Sequence, residues 1–315
     1  MLQQTQVATV VPYYERFLRA FPSISRLAAA PLERALELWS GLGYYRRARH
    51  LYWAAQAIDQ KFAGRFPRNY QQARALPGIG DYTARAVLSI AYGLPYAVLD
   101  GNVARVMARL RALKGNLHRP PFRHAVEQDL ACLLSRRDPG SFNQALMELG
   151  QTICLPRLPR CPVCPLRRWC QAYRRGNQHN YPAARSRRRT EIRYLATAVI
   201  RRGRKVLMVR GLDEGLLDDL WNFPATFGRS QVDALARLRA KLDGMAPERA
   251  RVGEPVAEVR HGITYRSIRV HVCPAEISGG MSTDLIRWFP LDQLPRAAVS
   301  QLARKIAARI ASAPQ

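Results

Sequence analysis

The sequence predicts a two-part chain: an all-α domain over residues 1–175, then an α+β domain over 191–315. Three observations predict it. Residues 1–153 read as successive helices. Four cysteines then fall within seventeen residues. Past residue 175 the chain turns polar and basic, and beyond 190 strand-like alternation begins. A length of 315 residues suits two domains, and a hydrophobic fraction of 48% suits a globular protein.

The helices follow in order. "PLERALELWSGLG" has Pro31 at a first-turn position and stops at Gly41. "YRRARHLYWAAQAI" sets Leu51, Ala54, Ala55 and Ile58 on one face. "DYTARAVLSIAYG" ends at Gly93, and "GNVARVMARLRALKG" aligns Val103, Val106, Met107 and Leu110. Two further helices are expected within 121–135 and 140–153. Residues 176–190, "GNQHNYPAARSRRRT" with its lead-in, read as a basic linker. Beyond it, "EIRYLATAVI" and "KVLMVR" read as strands joined around Arg202-Gly203. "SIRVHV" alternates with period two, and helices are expected near 231–242 and 298–311. No internal repeat is visible.

Fifty Lys and Arg stand against 23 Asp and Glu, a net charge of +27. Ten arginines and no acid lie between Leu155 and Thr190. Such a field draws polyanions and speeds encounter with them. No apolar run reaches the roughly 18 residues of a membrane span, and no signal-peptide pattern opens the chain. The expected setting is the cytoplasm, at the nucleoid, without membrane contact and as a monomer.

"CLPRLPRCPVCPLRRWC" carries Cys154, Cys161, Cys164 and Cys170 in a C-x6-C-x2-C-x5-C spacing. A tight thiol cluster points to metal more than to disulfides. Zinc more often takes two short C-x-x-C knuckles. One short pair flanked by longer spacings suits a loop around a [4Fe–4S] cluster. From spacing alone, zinc and disulfides stay open as alternatives. Cys132 and Cys273 are isolated thiols.

"LPGIGDYTA" places Gly78 and Gly80 before a helix N-terminus. Such a turn can present backbone N–H groups to a phosphate. It can equally be an ordinary helix–turn–helix connection. In "VLDGNV", Asp100 stands where a helix N-cap is favoured.

Cysteine loop, hairpin and aspartate together resemble the endonuclease III superfamily of helix–hairpin–helix DNA glycosylases. "MLQQTQ", "GLGYYRRARHL", "VLDGNV" and "FNQALMELGQTIC" are similar to adenine DNA glycosylases of the MutY type. That resemblance implies an iron–sulfur loop holding a [4Fe–4S] cluster, with the four cysteines above as its ligands. It implies base-excision repair of duplex DNA with adenine opposite 8-oxoguanine or guanine. Asp100 would stabilise an oxocarbenium-like sugar, with Asn102 and Tyr82 lining the site. Gln3, Gln4, Thr5, Tyr44, Gly78 and Gly80 would touch DNA, with Gln4 and Tyr44 inserting at the lesion pair. Strand-cleaving relatives carry Lys where this chain has Tyr82, so the enzyme is expected to be monofunctional. "GLLDDLWNFPATF" resembles a Nudix-like segment. "GRSQVDALARLRAKLDG" lacks the glutamates that a Nudix hydrolase uses for magnesium, so this domain is expected to recognise 8-oxoguanine without hydrolysis. Its expected recognition residues are His261, Thr264 and Tyr265, in a stretch reading Ile-Thr-Tyr where the best-known members read Phe-Ser-His.

In that family the general acid is a glutamate two residues before the methionine of Met-Leu-Gln-Gln-Thr. The sequence given starts at that methionine. The expectation is an N-terminally truncated chain of low excision activity. Two alternatives are a thymine or uracil mismatch glycosylase of the same superfamily and a non-catalytic iron–sulfur DNA-binding protein.

Overall fold

The computed structural model describes residues 1–3, 5–184, 189–213, 220–245, 250–263, 265–278 and 285–311. The helices begin with α1 (Val7–Ala20), α2 (Ile24–Ala29), α3 (Leu32–Trp39), α4 (Arg46–Phe62), α5 (Tyr70–Arg74) and α6 (Asp81–Ile90). They continue with α7 (Gly101–Leu110), α8 (Pro120–Leu133), α9 (Pro139–Thr152) and α10 (Gln171–Arg174). Side-chain caps set several starts: Ser23 for α2, Asn69 for α5, Asp100 for α7 and Asp138 for α9.

After residue 190 come β1 (Glu191–Arg202), β2 (Lys205–Arg210), β3 (Trp221–Asn222), β4 (Ala225–Gly228) and α11 (Gln231–Met245). Then follow β5 (Arg251–Val252), β6 (Ala257–Ile263), β7 (Arg266–Glu276), β8 (Ile286–Pro290) and α12 (Gln301–Ala311). β1 pairs in parallel with β7 and antiparallel with β2 and β4; β6 lies antiparallel on β7. β1 is buried on both faces. Leu195 and Val199 point into one apolar cluster; Ala196, Ala198 and Ile200 point into another, against Leu238 and Leu242 of α11. A doubly covered strand needs apolar residues at consecutive positions, which is why this stretch reads "LATAVI" without alternation. The alternation in "SIRVHV" is also only partial, because His271 is buried in β7 beside Val270 and Val272.

By contact the chain falls into two compact units, Met1–Gln56 with Arg188–Gln315, and Ala57–Arg187. The sequence reading ran one helical domain from 1 to 175. The first helices group with the sheet instead because their apolar faces complete its core. Leu36 and Trp39 of α3 share a cluster with Leu195, Phe223, Val270 and Ile306. That unit is layered, with α11 on one side of the sheet and α12 and the first helices contributing to the cluster on the other. The second unit has its main core where α7 and α8 pack through Val103, Met107, Val126 and Leu130, with a smaller cluster at α5 and α6. Within the stretch read as a linker, Tyr181 is buried in this core and the Ala183 N–H donates to the Gly115 carbonyl at 2.8 Å.

Candidate active site and DNA-binding residues

Asp100 caps α7. Its Oδ1 accepts the Val103 N–H at 2.7 Å, and its Oδ2 accepts the Asn102 amide at 3.2 Å. The cap and the site therefore use the same carboxylate. The chain enters this position under the control of Asn143 on α9, which is buried. Its Oδ1 accepts the Val98 N–H at 3.0 Å, and its Nδ2 donates to Ser89 Oγ and the Tyr96 carbonyl, each at 2.9 Å. Asn102 is oriented in turn by Arg105. Its Nη2 donates to Asn102 Oδ1 at 2.9 Å and to the Gly150 carbonyl at 2.7 Å, and its Nε donates to the Cys154 carbonyl at 2.8 Å. With its oxygen so engaged, the Asn102 amide can only offer N–H to Asp100.

Tyr82, the second residue of α6, completes this group. Burial and the negative charge of Asp100 raise its phenol above the ordinary value, so the phenol stays protonated. Its hydroxyl points at Met147 Sδ, 3.6 Å away. In the preceding hairpin Gly78 has φ 72°, a region that favours glycine. Gly80 is the N-cap of α6 and has no side-chain cap; a Cβ there would meet open space. Nothing among the described residues requires glycine at that position.

The cysteine loop hangs on the far end of α7. Arg109 is 2% exposed, and its guanidinium is fully engaged with the loop and the stretch after it. Nη1 donates to Cys154 Sγ at 3.3 Å and to the Leu155 carbonyl at 2.7 Å. Nη2 donates to the Pro156 carbonyl at 2.9 Å, and Nε to those of Gln178 and Tyr181 at 2.9 and 3.1 Å. Cys170 Sγ donates back to the Arg109 carbonyl at 3.4 Å. Burial pushes the Cys161 thiol up, and the sulfurs of Cys154, Cys170 and Cys164 add to it; burial likewise raises Cys164. The four sulfurs thus lie within electrostatic reach of one another. Among the described residues, no three His, Cys, Asp or Glu side chains converge as a site for a single metal ion. One zinc needs its ligands in a single small tetrahedron, whereas a cubane takes one thiolate at each iron and spaces them wider.

In the other unit, Arg47 gathers the start of the chain. It donates to the Met1 carbonyl at 2.7 Å, to the Gln3 carbonyl, and to Thr5 Oγ1 at 3.0 Å, and sits over the Tyr44 ring at 5.3 Å. Gln3, Thr5 and Tyr44 are therefore brought together. Gln4 lies outside the described residues. Tyr44 is about half exposed. On β6, His261 is half-buried with Nδ1 lacking a hydrogen-bond partner. Burial, helped by the Lys305 ammonium, lowers its pKa to about 4. Tyr265 stands beside Arg266, whose guanidinium lies 5.7 Å from the ring. Thr264 lies outside the described residues. Of "GLLDDLWNFPATF", Leu220 to Phe227 is described; Trp221 and Phe223 are buried there.

Arg47, Arg105, Arg109, Asn143 and Gly150 were not picked out from the sequence. Arg105 and Arg109 share one face of α7 at i,i+4, a spacing visible in "GNVARVMARLRALKG". Asn143 and Gly150 sit inside a motif that had been noted only as a whole.

Residues 1–133 match the family model described as HhH-GPD superfamily base excision DNA repair protein, and residues 196–309 match the NUDIX domain. Over 97% of this chain and 69% of the relative, the sequence is 33% identical to an adenine DNA glycosylase of Rattus norvegicus. The chain belongs to the adenine DNA glycosylase family. It is also 43% identical, over 55% of this chain and 49% of the relative, to an adenine DNA glycosylase of Buchnera aphidicola subsp. Baizongia pistaciae (strain Bp). Among solved structures, a thermostable thymine-DNA glycosylase is similar, with TM-score 0.50 and 27% identity over 55% of this chain and 80% of that one. Membership in the adenine DNA glycosylase family makes this chain a DNA glycosylase that hydrolyses N-glycosidic bonds in base-excision repair of adenine mispairs. Its fold is that of a helical glycosylase domain followed by a Nudix-like domain with a mixed sheet.

Proposed function

We propose that this chain excises adenine opposite 8-oxoguanine or guanine in duplex DNA, and that it stops at the abasic site. The observation that carries this reading is the Asp100 carboxylate, fixed by the Val103 N–H and by Asn102, beside a protonated Tyr82 where a strand-cleaving relative would hold an amine. Breaking the N-glycosidic bond leaves positive charge on the sugar. A carboxylate already oriented stabilises that charge without reorganising. It also directs water to the anomeric carbon; the departing adenine must be protonated as well, a role for which none of the site residues named above is proposed. Tyr82 cannot form an imine, so no lyase step follows.

Adenine must leave the base stack before it can react. Tyr44, exposed on its loop, is the residue that takes its place, and Gln4 is assigned to the same step. Gly78 and Gly80 let backbone N–H groups of the hairpin approach a phosphate. The free space at Gly80 supports this, because the need for glycine there comes from a partner's close approach. On the Nudix-like domain, His261, Thr264 and Tyr265 are the residues assigned to reading the 8-oxoguanine. His261 is neutral at pH 7, because burial and the Lys305 ammonium lower its pKa to about 4.

Cys154, Cys161, Cys164 and Cys170 would hold a [4Fe–4S] cluster. The donor set fits: four thiols near one another and a buried guanidinium to complement their negative charge. When bound, such a cluster supplies structural order to the loop. The residues of this chain do the rest, because Arg105 spans from the Cys154 carbonyl to Asn102.

The test is a gel assay on A:8-oxoguanine, A:G and T:G duplexes, with and without alkali. Adenine release leaving an intact strand until alkali is added is the expected result. Cleavage of T:G in preference, or a borohydride-trapped adduct, would refute it. Tyr82→Lys should introduce some strand cleavage.

A further inference from the structure

The loop that carries Tyr44 is wound against the preference of an ordinary chain. Gly41, Gly43 and Tyr44 all have positive φ, at 109°, 71° and 48°. Glycine adopts such angles freely, and a tyrosine does not. The ring itself is half exposed, so its burial does not offset the strain.

A strained loop keeps its shape only where its surroundings over-determine it. Here both ends are tied to one carbonyl. Ser40 Oγ donates to the Val299 oxygen at 3.0 Å, and the Tyr45 phenol donates to the same oxygen at 3.2 Å. Both side chains are buried. The Tyr45 hydroxyl also accepts the Gly41 N–H at 3.2 Å, closing the loop across its base. Arg304, on α12, donates to Ser40 Oγ at 2.8 Å and to the Pro295 carbonyl at 2.6 Å. From within the loop's own segment, the Trp39 indole donates to the Gly43 carbonyl at 3.2 Å.

The Val299 carbonyl is itself held in place. The Trp221 N–H donates to the Ala298 carbonyl at 2.9 Å, and the Ser300 N–H donates to the Trp221 carbonyl at 3.3 Å. The Trp221 indole donates to Glu33 Oε1 at 2.8 Å, which ties this short strand to α3, the helix leading into the loop. A side chain at Gly41 would collide with the Tyr13 hydroxyl, so the loop has little room to relax sideways.

We infer that Ser40, Tyr45 and Arg304 are positioning residues for Tyr44, and that the Nudix-like half supports the loop through Val299. This rests on the reading of Tyr44 as the inserted residue. It gives the C-terminal half a task beyond reading the lesion. A loop released from this clamp would relax toward negative φ at Tyr44, and only a fraction of molecules would present the ring ready for insertion. The effect should be blind to the base opposite adenine, because none of the clamp residues is a lesion-recognition residue.

The test uses the whole chain and duplexes with 2-aminopurine next to the target adenine, whose fluorescence rises on unstacking. Tyr45→Phe removes one oxygen and keeps the ring in the core. Ser40→Ala removes the other donor. Each should bind DNA yet lower the unstacking signal by about two- to tenfold, the worth of one net hydrogen bond, equally for A:8-oxoguanine and A:G. Ser40→Thr, which keeps the hydroxyl, should restore the signal. A merely structural role would lower the melting temperature and leave the signal of the folded protein unchanged. If Ser40→Ala does not fold, Tyr45→Phe alone decides. An unchanged signal in a folded clamp variant, with the signal lost in Tyr44→Ala, overturns the inference. An unchanged signal in Tyr44→Ala overturns the reading of Tyr44 as the inserted residue, and the inference with it.

Discussion

Gly150 makes room for Asn102: a Cβ added to Gly150 would lie 2.6 Å from Asn102 Cβ and 3.1 Å from its carbonyl carbon. Helices α9 and α7 therefore meet backbone to side chain beside the Asp100 carboxylate. Gly150→Ala would ordinarily stabilise a helix by about 0.5–1 kcal/mol. Overpacking here costs about 1–3 kcal/mol, so the crowding wins. The expected result is a lower urea midpoint and slower adenine release, as Asn102 is pushed off Asp100. A variant that is more stable and equally active would show that the two helices separate freely.

Asp100 caps α7, and on the proposed function it also faces the sugar; one substitution parts the two tasks. Asn caps a helix about as well as Asp does. Asp100→Asn should therefore keep the melting temperature within a few degrees. The same change removes the charge that faces the sugar, and excision should fall about 10²–10³-fold, the usual loss for a preorganised electrostatic group. Single-turnover rates beside thermal melts read both. Loss of fold together with loss of rate would assign Asp100 to structure.

His261 makes stability depend on pH in a known direction. Its folded pKa of about 4 lies below the ordinary 6.5. Below pH 6.5 the unfolded chain takes up a proton that the folded chain does not. Stability from this group is complete above pH 6.5 and falls as pH drops toward 4. In His261→Gln the difference in urea midpoint between pH 7 and pH 5 should shrink. An unchanged difference would mean that the ring is solvated.

The cysteine loop predicts bound iron. Purified without oxygen, the chain should be yellow-brown, with about four irons and little zinc. Cys161→Ser should lower the iron content and loosen the loop that Arg109 gathers. A colourless protein with stoichiometric zinc would replace the cluster assignment.

What the sequence made legible was what is local. The Cys154–Cys170 spacing, the Gly78–Gly80 turn and the cap at Asp100 each lie within one short stretch, and composition alone separates the helical part from the stranded part. What stayed hidden depends on distant pairing. Nothing near Ser40 announces a hydrogen bond to Val299, 259 positions away. Arg105 and Arg109 look like ordinary helix-surface charges until the loop after Thr152 folds over them. His271 reads as the polar side of an alternating strand, yet it is buried, with the Tyr194 ring of the neighbouring β1 stacked on it at 6.4 Å.

The shared core of Met1–Gln56 and Arg188–Gln315 has a consequence for synthesis. The middle unit, Ala57–Arg187, emerges complete while the first helices still lack their partner strands. At about 5–20 residues per second, α3 waits on the order of tens of seconds for β7 and α12. Throughout that time Leu36 and Trp39, both 1% exposed in the finished fold, have only nascent neighbours. A segment made before the middle unit is thus buried only after it, and until then its apolar side chains are open to chaperones.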